Sequence, residues 1–259
     1  ASANQVMGRV LYSAMERADG LRLADIRGGR FDNVICSSNR AEVAVPEEQA
    51  EDFEAFIAEF DAVLKNEYAG VHDGITLSCR RTQLDSALSQ KVTFRMLRVL
   101  LVLPQGVQAM NVDFPGLVQT SLNLGAIGVE ADGLHFSISV RSCIASQKAM
   151  VAQKVRAIVT SARGTVLERS AYPGWQYARE SVLREDVLAA WKAVSGKEGR
   201  IEATHGGLEC GLFIEKIPGL DAVSLGPELH DVHSVKEKLS VPSTKLVYEM
   251  ALELLKRSR

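Results

Sequence analysis

Two runs decide the fold: Leu117-Val118-Gln119-Thr120-Ser121-Leu122-Asn123-Leu124-Gly125-Ala126-Ile127-Gly128-Val129 and Leu134-His135-Phe136-Ser137-Ile138-Ser139-Val140. Apolar and polar side chains alternate along both, as in strands with one face on a core. Asp132-Gly133 lies between them and suits a tight reversal, so the runs pair antiparallel. Upstream, residues 3–19 carry Val6, Val10, Leu11, Ala14 and Met15 at helical spacing and stop at Asp19-Gly20. Residues 21–26 and 34–45 read as strands around Gly28-Gly29. Pro46 opens a helix to about Tyr68, with Glu47, Glu48, Glu51 and Asp52 at the end where the helix dipole favours them. A short strand over 75–81, a helix over 84–103, a helix over 146–162 and a strand over 165–170 follow. Helices and paired strands in this mixture predict an α+β sandwich.

At Ala171-Tyr172-Pro173-Gly174-Trp175 the pattern changes. Pro and Gly break the strand and suit a crossing between domains. Beyond it the pattern reads helix 181–195, strand 200–204, a glycine-flanked segment 206–214, strand 221–225 and a final helix over about 243–257. Strands alternating with helices predict part of a parallel sheet, too short to close a good core alone.

The 259 residues are 46% hydrophobic, enough for a substantial core. A net charge of -2 excludes a broad electrostatic footprint on nucleic acid. No apolar run reaches spanning length, so no membrane partner is expected. Cys36, Cys79, Cys143 and Cys210 are scattered and form no CxxC, which predicts reduced thiols and a cytoplasmic protein. The chain enters its first helix within a few residues, and is therefore expected to be a piece of a longer protein.

Two segments concentrate chemistry. Thr204-His205-Gly206-Gly207-Leu208-Glu209-Cys210-Gly211 sets a histidine and a carboxylate among glycines that allow close backbone approach. It is a site candidate or a glycine-rich turn with a structural histidine. Ser224-Leu225-Gly226-Pro227-Glu228-Leu229-His230-Asp231-Val232-His233-Ser234 crowds two histidines and two acids after a strand, where ligands bind open α/β sheets. In the first domain, Arg141 at a strand end suits a carboxylate clamp or a surface ion pair. Asn33 suits an oxyanion donor or a turn asparagine.

These segments together resemble the aminoacyl-histidine dipeptidases, the Xaa-His or carnosine-cleaving two-zinc metallopeptidases. The matching stretches are Ala3-Asn4, Gly28-Gly29 with Asn33, Ser121 to Gly125, Val140-Arg141-Ser142, Ala171 to Trp175, His205 to Gly211, and Gly226-Pro227 through His233-Ser234. They run in order over almost the whole chain. The resemblance implies an α+β lid and dimerisation domain over 1–171 with an antiparallel sheet. An incomplete α/β zinc-peptidase catalytic domain then occupies 172–259. It implies two zincs per complete site, which activate a bridging water, with His233 as the one ligand supplied here. Arg141 would hold the substrate carboxylate. Asn33 would polarise the scissile carbonyl across a homodimer, and Gly211 would offer backbone contact. His205, Glu209 and Asn123 lie in matching segments without an assigned role. The family's His-x-Asp zinc pair, bridging aspartate and catalytic glutamate have no counterpart here; His72-Asp73 and His230-Asp231 lack the spacer. The chain alone is therefore expected to be inactive, a fragment lacking its N-terminal catalytic segment. The alternatives are a half-enzyme completed by a separate N-terminal half, or a non-catalytic dimerisation or binding module. Two stretches depart from the family. His233 is followed by Ser234-Val235-Lys236-Glu237 where Ser-Pro-Asp-Glu is usual, and Asn33 by Val34-Ile35-Cys36-Ser37-Ser38 where Ala-Ile-Pro-Arg-Glu is usual.

Overall fold

The structure is a computed structural model and describes residues 1–205, 207–232 and 234–257. Two compact units divide the chain. The first comprises Ala1–Ala109, Thr120–Arg141 and Ser146–Arg169. The second comprises Met110–Gln119, Ser142–Ala145 and Ser170–Arg259.

In chain order the first part holds α1 (Ala3–Arg17), β1 (Arg22–Gly28), β2 (Asn39–Ala44), a 3-10 turn (Glu47–Gln49), α2 (Ala50–Glu67) and α3 (Gln90–Val102). Then come β3 (Gly106–Met110), β4 (Val118–Glu130), β5 (Gly133–Ser142) and α4 (Ala145–Ser161). The sheet order is β2-β1-β4-β3, and β5 also pairs with β4. β1 runs antiparallel to both neighbours, with Arg27 opposite Arg40 on β2 and Gly128 on β4. The alternation of β4 is realised over its middle, where Leu122 and Leu124 are buried and Ser121 and Asn123 half-buried.

The main core joins Val10, Leu11 and Ala14 of α1 to Leu23 and Ile26 of β1, Leu97 and Leu100 of α3, and Phe56, Ile57 and Leu64 of α2. A second cluster sets Leu122 and α3 residues Val99 and Leu103 against Val151 and Val155 of α4. Gly8 explains the close approach of α1 to α3, since a Cβ there would lie 2.5 Å from Leu100 Cγ.

Several expected elements differ. α3 starts at Gln90 rather than 84, because the Ser89 hydroxyl accepts the Val92 N–H and caps it there. Residues 75–81 form no strand, and the Leu77 N–H donates to the Asp61 carboxylate at 2.7 Å instead of a ladder. Residues 165–170 form no strand either, and there Glu168 pairs with Arg156. β3 had no sequence counterpart.

The second unit holds α5 (Val182–Ser195), α6 (Glu209–Lys216), the two-residue strands β6 (Leu229–His230) and β7 (Lys238–Leu239), and α7 (Val241–Arg257). α5 packs on α7 through Val187, Ala190 and Met250. Gly196 ends α5 in the left-handed region at φ 71. The strands expected over 200–204 and 221–225 are not formed. Asp221 serves α5 instead: it accepts from the Ser181 hydroxyl at 2.8 Å and the Leu183 N–H at 3.0 Å. These bonds, the backbone one foremost, hold its carboxyl below the usual range. Among the described residues, this unit holds the ends of β3, β4 and β5 and, as strands of its own, the antiparallel pair β6 and β7. No described helix is long and apolar enough to cross a membrane.

Candidate functional site

Asn33 lies in an exposed turn after β1, and its side chain has no partner among the described residues. The turn itself is tightly built. Asn123, on β4, donates both amide hydrogens to it, to Asp32 O at 2.7 Å and Val34 O at 2.9 Å. Its own Oδ1 accepts from Gln105 Nε2 at 3.1 Å, and Gln105 Oε1 accepts the Leu124 N–H at 2.7 Å. Gly29 adopts φ 74, and a Cβ on it would lie 1.8 Å from Gly125 O. A Cβ on Gly125 would lie 2.2 Å from Phe31 O. Backbone meets backbone at both glycines, so neither position accepts a side chain. A cavity of about 440 Å³ opens here, lined by Gly29, Phe31, Val34, Ile35, Cys36 and Gly125 among others. Gln105 was not singled out from sequence, because a glutamine between a helix and a strand carries no periodic signal.

Arg141, near the end of β5, is exposed and has no acidic partner among the described residues. At the other end of the same strand pair, Glu130, Asp132 and His135 bring one donor atom each within 4.8 Å of one another, all exposed. A 2.6 Å bond between His135 Nε2 and Asp132 Oδ1 accounts for their closeness. That bond raises the His135 pKa above 6.5 and lowers that of Asp132, with Glu130 adding to the first. The His135 contribution to stability is present below the ordinary histidine pKa and fades as pH rises through the raised value. The Asp132 contribution is present above its ordinary value and fades as pH falls through the lowered one. Asp132→Asn is expected to move the His135 titration midpoint down, read by NMR; an unmoved midpoint would dismiss the pair.

In the second unit the two most distinctive segments interlock. The Tyr172 ring lies where a Cβ on Gly207 would be, 2.2 Å from Cδ1. A Cβ on Gly211 would lie 3.2 Å from both Pro173 O and Gly174 O. Gly174 in turn sits against the Ser142 and Cys143 carbonyls. The Gly211 N–H donates to Leu208 O at 3.0 Å, a bond within its own segment. Glu209 is exposed and opens α6, where its charge suits the helix dipole. Burial pushes the Tyr172 hydroxyl pKa up, with Glu209 adding to it. His205 is half-buried just before this segment.

The hairpin of β6 and β7 carries the remaining candidates. His230 is exposed and pairs in register with Lys238. Asp231 takes φ 53, and its carbonyl accepts from the Ser234 hydroxyl at 2.7 Å. His233, the expected zinc ligand, lies outside the described residues.

Residues 1–72 match a peptidase dimerisation domain family. The cytosol non-specific dipeptidase of Escherichia coli (strain K12) is 30% identical over 256 residues, 98% of this chain and 53% of that protein. The crystal structure of aminoacylhistidine dipeptidase from Vibrio alginolyticus matches with a TM-score of 0.89 at 29% identity, over 99% of this chain and 52% of that one. The chain thus spans about half the length of the relatives it matches.

Proposed function

We propose, for a chain that belongs to the aminoacyl-histidine dipeptidase family, that it forms part of a cytosolic zinc dipeptidase hydrolysing Xaa-His dipeptides such as carnosine. Residues 1–171 serve as lid and dimerisation domain, and 172–259 as the closing segment of the catalytic domain. The observation that carries the reading is the exposed Asn33, presented on a turn that Asn123, Gly29 and Gly125 fix from behind. An amide held ready in this way suits a developing oxyanion, because a preorganised donor needs no reorganisation during reaction. Arg141 offers a planar two-point donor to the dipeptide carboxylate. Two copies joined through the lid would place Asn33 at the partner's active site.

The described residues do not gather donors for a zinc pair. Their one close group, Glu130, Asp132 and His135, sits on an exposed hairpin of the first unit. The remaining ligands and the general base then come from sequence corresponding to the half of its relatives that this chain does not match, with His233 as its own contribution.

The second unit supports completion by further polypeptide over an inert module. Its buried hydrophobics are Val187, Ala190 and Met250, while Val182, Phe213, Ile217, Val241, Tyr248 and Leu255 are each more than half exposed. Exposed apolar side chains beside so small a buried core suit a unit that further polypeptide covers.

The test is Arg141→Met in the chain joined to such an N-terminal segment. For a free dipeptide, kcat/KM should fall about 10- to 100-fold, mostly through KM, as for loss of a charged hydrogen bond of about 1.5–3 kcal/mol. A dipeptide amide, which lacks the carboxylate, should be nearly indifferent to the change. Equal losses on both substrates would reject the clamp, and failure of the joined wild-type protein to turn over any dipeptide would reject the function.

A further inference from the structure

We infer that Asn123 is a positioning residue, acting through the turn that presents Asn33. Its two amide hydrogens go to Asp32 O and Val34 O, the carbonyls on either side of residue 33. Gln105 fixes which way the amide points: its Nε2 donates to Asn123 Oδ1, and its Oε1 is held by the Leu124 N–H. The Asn123 carbonyl oxygen and both of its amide hydrogens are thereby assigned, and a flipped amide would set oxygen against two carbonyls. The chain from Leu124 through Gln105 and Asn123 to the turn is a supporting layer behind Asn33, and it orients that donor without touching substrate. Asn123 lies on β4, so the turn takes its position from the sheet. Gly125 and Gly29 leave the turn no room to move toward β4, and Asn123 stops it from moving away.

The inference rests on the proposed role of Asn33, and a double-mutant cycle separates the two. In the full joined dipeptidase, Asn33→Ala should lower kcat about 100- to 1000-fold, as for loss of one oxyanion donor. Asn123→Ala should lower kcat about 10- to 100-fold with KM within about threefold, the cost of a misplaced group. The double variant should be no slower than Asn33→Ala within about twofold, because Asn123 has nothing left to position. Gln105→Ala keeps Asn123 in place but frees its amide, and should lower kcat in the same direction by less. It serves as the readout if Asn123→Ala melts early. Losses that multiply in the double variant would make Asn123 a merely structural residue and overturn the inference. So would Asn123→Ala or Gln105→Ala with unchanged kcat in folded protein. Full activity in Asn33→Ala alone would overturn the Asn33 reading, and the inference with it.

Discussion

His233→Ala in the joined dipeptidase is expected to remove turnover by on the order of a thousandfold or more, beyond the roughly 100-fold that loss of a second-shell partner costs. A catalytic zinc keeps few protein ligands, so each is hard to replace. The described residues on either side of position 233 are tied together by Ser234. Asp231 O accepts from Ser234, and the Ser234 hydroxyl accepts the Lys236 N–H. Stability should therefore change little, and bound zinc should fall with activity. His230→Ala is the control. His230 is exposed, pairs with Lys238 in the β6–β7 ladder, and should leave kcat within a few-fold of wild type. The measurements are zinc content, kcat and a thermal melt on the same samples. If His230→Ala abolished turnover and His233→Ala did not, the ligand would lie three residues upstream. If both kept full activity, this loop would contribute no ligand.

Much of the first unit was legible because its elements bury one face each. Val10, Leu11 and Ala14 announce α1, and Leu122 and Leu124 announce β4. Periodicity reports burial, and these residues are buried. The failures lie where partners other than a core decide. Residues 75–81 look like a strand, yet Asp61 takes the Leu77 N–H. Residues 221–225 also look like a strand, yet Asp221 caps α5. β3 is half exposed and has almost no pattern to read. In the candidate site, the glycine segment, Arg141 and Asn33 stood out by residue chemistry, and the roles expected of them came from a family resemblance. What resemblance did not supply is the hydrogen-bond chain behind Asn33. Gln105 and Asn123 are 18 residues apart and joined only by the fold. The two distinctive segments pack on each other: the Tyr172 ring fills the space beside Gly207, and the Pro173 and Gly174 carbonyls lie against Gly211.

Asn4→Leu should strongly destabilise the fold of the first unit. Asn4 is fully buried on α1. Its amide donates to Leu124 O at 3.1 Å and Gly28 O at 3.4 Å, and its Oδ1 accepts from Asn39 Nδ2 at 2.8 Å. One side chain thus joins α1 to β1, β2 and β4, and Gly28 lacks a side chain where Asn4 Oδ1 enters. Leucine keeps the branched outline of four side-chain heavy atoms but offers no polar atom, so two carbonyls and an amide lose partners. An orphaned buried group costs about 1–3 kcal/mol, and Asn39 recovers part by reaching water. The net loss should be on the order of 3 kcal/mol, which lowers Tm by roughly 6–12 °C at about 2–4 °C per kcal/mol. The Asn33 turn leaves β1 at Gly28, so the same variant should loosen it, seen as faster amide exchange over residues 29–35. Asn4→Asp gives the argument a pH arm. A protonated carboxyl there can still donate to one carbonyl, whereas an ionised one faces both with oxygen. Its pKa is then higher folded than unfolded, and stability falls as pH rises through the carboxylate range. The Tm gap between wild type and Asn4→Asp should widen from about pH 4 to about pH 7. A gap that stays constant over that range, or a Tm for Asn4→Leu within about 2 °C of wild type, would show that these buried bonds do not hold the sheet to α1.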